Sequence, residues 1–165
     1  MTVASKQIDN AHASNDVVSI GQPITYEKIP THIYANSKDA SKAVAIEIAE
    51  LIRRKQSEGK PCILGLATGS SPKTVYAELV RMHREEGLSF KNVISYNLDE
   101  YYPMEPDSIY SYHRFMKEQL FDHVDIPSGN FHLPDGTLPA QRIQEFCREY
   151  EQQIEEAGGV HFQLL

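Results

Sequence analysis

Apolar residues recur along this chain at two different periods, and the changes of period divide it into elements. From Lys38 onward Ala40, Val44, Ile48, Leu51 and Ile52 return at helical spacing with charges between them, until Gly59 and Pro61 interrupt. Cys62-Ile63-Leu64-Gly65-Leu66-Ala67 is then apolar without a break, which suits a strand covered on both faces. Thr68-Gly69-Ser70-Ser71 ends it, and Pro72 is placed to open a helix, where its missing N–H costs nothing. That helix takes its apolar face from Val75, Tyr76, Leu79 and Met82 and stops at Gly87. Val93 to Leu98 reads as a second strand, followed by an acidic, proline-containing loop over residues 99–107. A third helix is expected from about Ser111, burying Tyr112, Phe115, Met116 and Leu120. Residues 130–133 form a short strand candidate. A fourth helix carries Ile143, Phe146, Cys147, Tyr150 and Ile154 as far as Gly158-Gly159, and residues 160–165 make a last apolar run.

Helix and strand thus alternate with short connectors, the pattern of a parallel α/β sheet with helices on both faces. Residues 1–25, rich in Ser, Asn, Asp and Ala, read as a flexible extension, and residues 26–165 as one domain. The last run ends on two leucines with no loop after it. Such loops carry ligand-binding groups in open α/β sheets, so the chain is expected to be the N-terminal part of a longer domain.

Composition narrows the function. Sixteen Lys and Arg against twenty-three Asp and Glu give a net charge of −7, which argues against a nucleic-acid partner but leaves room for a small anion held by backbone amides. The N-terminal stretch has no apolar core of a secretory signal, and no run approaches the roughly 20 residues that span a bilayer. No membrane association and a cytoplasmic location are expected. Cys62 and Cys147 form no C-x-x-C pair and read as two buried thiols. The seven histidines show no metal-ligand spacing, so neither a metal nor another cofactor is expected.

Two loops leave strands at the end of the sheet where ligands bind. In residues 68–71, Gly69 allows close backbone approach, the hydroxyls of Thr68, Ser70 and Ser71 can donate, and the helix start offers free amides to an anion. The same residues could equally form a plain turn with a serine N-cap. The second loop begins Asn97-Leu98-Asp99-Glu100-Tyr101. Adjacent side chains leaving a strand diverge, so one carboxylate can face a ligand as a proton acceptor while the other braces the loop. An acidic flank to the next helix is the plainer alternative. The spacing from Thr68 to Asp99 fits one βαβ unit, which would bring both loops to a shared rim.

Leu64-Gly65-Leu66-Ala67-Thr68-Gly69-Ser70-Ser71-Pro72, Ser89-Phe90-Lys91-Asn92-Val93, Asn97-Leu98-Asp99-Glu100-Tyr101 and Phe121-Asp122-His123-Val124-Asp125-Ile126-Pro127 occur in an order that resembles glucosamine-6-phosphate deaminase, from about Ile33 to Leu165. The resemblance implies a three-layer α/β/α sandwich with a mostly parallel, Rossmann-like sheet. It implies conversion of glucosamine 6-phosphate and water to fructose 6-phosphate and ammonia, without a cofactor, by aldose–ketose isomerisation and loss of the amine. Asp99 matches the base that moves the proton between C2 and C1. Thr68, Gly69, Ser70 and Ser71 match the phosphate loop, although many members carry glycine where this chain has Ser70. Glu100 and Tyr101 match neighbours that support the base. Family members often form homo-oligomers. In the family, the strand matching residues 160–165 continues into a glycine-rich loop with G-H-I and then F-N-E, the ring-opening segment. This chain holds none of it, so the chain alone is expected to be inactive. The competing expectations are a hydrolase of the 6-phosphogluconolactonase kind, and a phosphosugar-binding regulatory module without catalysis.

Overall fold

The computed structural model describes residues 31–165, so the extension expected over residues 1–25 lies outside it. Helix α1 (Ser37–Ser57) starts where the Asn36 side chain accepts the Asp39 N–H at 2.9 Å, and it buries Ala45, Ile48, Ala49, Leu51 and Ile52. Strand β1 (Cys62–Leu66) is buried throughout. Helix α2 (Lys73–Glu86) begins one residue after Pro72 and ends at Gly87, whose φ of 70° is a left-handed cap conformation. Strand β2 (Val93–Asn97), helix α3 (Tyr112–Gln119), strand β3 (Phe131–His132), helix α4 (Ile143–Glu156) and strand β4 (Phe162–Gln163) follow. The Ser111 hydroxyl caps α3 by accepting the Arg114 N–H at 3.0 Å.

The four strands are parallel in the order β3-β2-β1-β4. The chain steps from β1 outward to β3 and then returns to the far side of β1, so the strand order reverses beside β1. Side chains of Cys62, Leu64, Leu66 and Val93 join α1, α2, Met116, Leu120 and Phe121 in one buried cluster on one sheet face. Helix α4 covers the other face, where the rings of Tyr96 and Tyr150 meet edge-on at 5.6 Å. The architecture is therefore the expected layered α/β fold with a parallel sheet.

Two of the sequence motifs turn out to hold each other. The Asp125 carboxylate accepts the Ser89 hydroxyl at 2.8 Å and the Phe90 backbone N–H, while His83 Nδ1 donates to the Leu88 carbonyl at 2.6 Å. The turn into β2 is thus pinned by the segment leading toward β3. Phe121 is buried, and Val124 and Ile126 pack against the core.

Several details differ from expectation. The strands expected over residues 130–133 and 160–165 are each paired over only two residues, as befits the two sheet edges. Helix α4 buries no residue completely, and Cys147 is exposed rather than buried. Tyr112 and Phe115 are half-buried. The apolar side of α4 meets a face that carries Tyr96 and His132, and polar bonds do much of the docking. The Tyr150 hydroxyl lies 2.9 Å from the Asn97 carbonyl and 3.0 Å from that of His132, and Tyr96 donates to the Gln153 carbonyl at 3.3 Å.

Candidate active site

The loop over residues 68–71 is set by the helix that follows it. The buried Tyr76 hydroxyl donates to the Ala67 carbonyl and so fixes how β1 ends. Gly69 takes φ 107°, a conformation open to glycine and costly for other residues. Thr68 is half-buried, while Ser70 and Ser71 are exposed. No side chain caps α2, so the serine N-cap alternative is not what forms, and the first-turn amides remain available at the positive end of the helix. Thr74 links this turn to α1 through a 2.6 Å contact between its hydroxyl and that of Ser41. Lys73 lies 5.4 Å from the Phe115 ring centre, which places a cation at the start of α2.

Leu66 pairs with Asn97, and the Leu98 N–H donates to the Leu66 carbonyl at 3.3 Å. Thr68 and Asp99 therefore each stand two residues past the last paired position of neighbouring parallel strands. The two adjacent carboxylates part company here. Glu100 turns back and accepts the N–H groups of Tyr101, Tyr112 and His113, each at 2.9 Å, which holds the N-terminus of α3. Asp99 is exposed and lines a cavity of about 300 Å³ together with Tyr101, Tyr102, Phe146 and Tyr150. None of residues 68–71 lines that cavity. Its wall is locked by the Met104 N–H, which donates to the Gly136 carbonyl at 2.9 Å, and by the Tyr102 hydroxyl on the Leu138 carbonyl at 3.0 Å. A Cβ at Gly136 would lie 2.7 Å from the Met104 and Tyr101 carbonyls, so only glycine allows this approach.

Tyr112 packs against the second loop, a role that helical periodicity did not reveal. Its ring lies 4.8 Å from that of the exposed Tyr101. A hydrogen bond with Tyr101 pushes the Tyr112 hydroxyl up from its ordinary pKa, a second with Thr68 acts against this, and the charge of Asp99 adds to the rise. The sequence signal was present in its position as the first residue of α3, whose start the Glu100 carboxylate holds. Among the described residues, no group of three His, Cys, Asp or Glu side chains is arranged to hold a metal ion. No helix among them is long and apolar enough to cross a membrane.

Residues 35–165 match the family model described as glucosamine-6-phosphate isomerases/6-phosphogluconolactonase. The chain is 52% identical over 139 residues to a glucosamine-6-phosphate deaminase-like protein of Bacteroides thetaiotaomicron, covering 84% of this chain and 21% of that protein. It is 41% identical over 133 residues to the glucosamine-6-phosphate deaminase of Thermoanaerobacter sp. strain X514, covering 81% of this chain and 50% of that one. Among solved structures it resembles a monomeric glucosamine-6-phosphate deaminase with a TM-score of 0.73 and 35% identity, covering 79% of this chain and 52% of the other. The chain thus spans about half the length, or less, of these relatives.

Proposed function

The chain belongs to the family of glucosamine-6-phosphate isomerases and 6-phosphogluconolactonases, and from that premise we propose that it supplies the phosphate cup and the proton-transfer carboxylate of a glucosamine-6-phosphate deaminase. The substrate's phosphate is received by the amides and hydroxyls of residues 68–71 at the uncapped start of α2. Asp99 takes the proton from C2 of the open-chain sugar and returns it to C1, which turns the aldose into a ketose frame from which the amine leaves as water adds. Glu100 and Tyr101 hold the loop that aims it.

One observation supports this reading: of two adjacent carboxylates at the end of β2, Glu100 is consumed by backbone bonds while Asp99 stays exposed, on a loop that leaves the strand paired with the one preceding residues 68–71. An ammonia-release assay with glucosamine 6-phosphate tests it, run on this chain and on a longer chain that contains it. Ammonia is expected from the longer chain, and Asp99→Asn should lower its kcat at least about 100-fold, the scale of general acid–base catalysis. Binding of glucosamine 6-phosphate without ammonia in either chain would favour the non-catalytic module. Hydrolysis of 6-phosphogluconolactone instead would favour the other half of the family.

A further inference from the structure

Strand β4 closes onto β1 through an unusual bond pair. The His161 backbone N–H donates to the Ile63 carbonyl at 2.9 Å, and the His161 ring accepts the Ile63 N–H on Nδ1, also at 2.9 Å. One side chain and one peptide group of His161 thus satisfy both backbone groups of a single β1 residue, just before the regular pairing of Leu64 with Phe162 begins. The second ring nitrogen, Nε2, lies 2.9 Å from Nζ of Lys55 on α1.

Both ring nitrogens therefore face N–H groups. A neutral imidazole has one proton and one lone pair, and acceptance at Nδ1 puts the proton on Nε2, so the approach to the Lys55 ammonium sets donor against donor and is not a hydrogen bond in this tautomer. An imidazolium carries a proton on each nitrogen and accepts from neither. The charged groups around the ring come from the end of α1: Lys55 and Arg54 as cations, and Glu58, which is drawn to Lys60 at 3.1 Å. Strand β1 adds no charge, since its Cys62 thiol is pushed up to about 11 by burial. Burial, then Lys55 and Arg54, hold His161 below the ordinary imidazole range against the opposing pull of Glu58.

We propose that His161 is a proton-sensitive clasp, whose neutral ring fastens β4 to β1 and whose protonation releases it. The sign follows from linkage. The unfolded chain takes up this proton near pH 6.5, and the closed clasp takes it only at a lower pH. The stabilisation is complete above about pH 6.5 and disappears as pH falls through the lowered value. The clasp therefore fastens the β4 margin of the sheet to the N-terminal half of β1, while β2 holds the other side of β1 over five residues.

Nitrogen-15 NMR of the 165-residue chain between pH 4 and 8 tests the clasp. At pH 7.5 His161 should be the Nε2–H tautomer, with a titration midpoint below 6.5. Hydrogen-exchange protection at Ile63, His161 and Leu164, corrected for intrinsic exchange, should fall about tenfold or more through that midpoint, while protection within β2 stays level. Lys55→Gln should move the midpoint and the protection curve upward together. In His161→Gln, the side-chain carbonyl still accepts from Ile63 but gains no proton, so protection should become flat with pH. A midpoint at or above that of free histidine, or protection that ignores it, overturns the proposal. If His161→Gln does not fold, the joint movement in Lys55→Gln decides alone, and its absence counts equally against the clasp.

Discussion

Asp99 and Glu100 are chemically near-identical neighbours, and the difference between them is entirely one of direction. Alternation along an extended strand says that they diverge, but which one turns toward α3 depends on where that helix begins, a tertiary fact beyond the reach of local pattern. Glu100 bonds three backbone N–H groups, two of them at the start of α3. Glu100→Gln should therefore lower stability by about 1 kcal/mol, as lost helix-start bonds do, measured by urea denaturation. Asp99→Asn should leave the unfolding free energy from urea denaturation unchanged within about 0.5 kcal/mol, because exposed side chains seldom matter to stability. Gly69 was expected to let the backbone approach an anion closely; its φ of 107° adds a conformational reason for glycine that the sequence pattern had not raised.

At the scale of elements, the apolar spacing located the four α-helices of the described residues, yet it overstated the burial of α4. Periodicity reports that a helix has an apolar side. It does not report whether the opposing surface is deep enough to enclose it. Here the opposing face offers Tyr96 and His132, and much of the apolar side of α4 lines the cavity instead. The docking of α4 consequently leans on the Tyr150 hydroxyl, directed between the carbonyls of Asn97 and His132. Tyr150→Phe leaves both carbonyls short of a donor and should cost about 1 kcal/mol. The check is amide exchange: α4 should lose protection in that variant, while α1 and α2 keep theirs. The stacking of Tyr112 on Tyr101 was illegible for a related reason, since a tyrosine on a helix face looks like core packing until its ring is seen against the exposed Tyr101.

For the whole molecule, the alternation of helices and strands was enough to infer a parallel layered sheet, whereas the return of β4 to the far side of β1 had to be seen. The motif pair around residues 89–93 and 121–127 has a physical basis in the Asp125 bonds that span it. Burial pushes the Asp125 carboxyl up, and the Phe90 amide, the Ser89 hydroxyl and His83 together more than reverse this, leaving it below the ordinary carboxylate range. The unfolded chain binds that proton near pH 3.9, so the stabilisation is present above this value and is lost as pH falls through the lower folded one. Urea midpoints followed from pH 6 to pH 2 should show an acid limb that is shallower in Asp125→Asn than in the parent.

Strand β1 pairs with β2 over five residues but with β4 over only two. Heat or a protease should therefore attack the molecule asymmetrically, peeling the C-terminal margin away while the longer pairing of β1 with β2 endures. A brief digestion followed by mass spectrometry ought to recover a trimmed body that still contains β1 and β2.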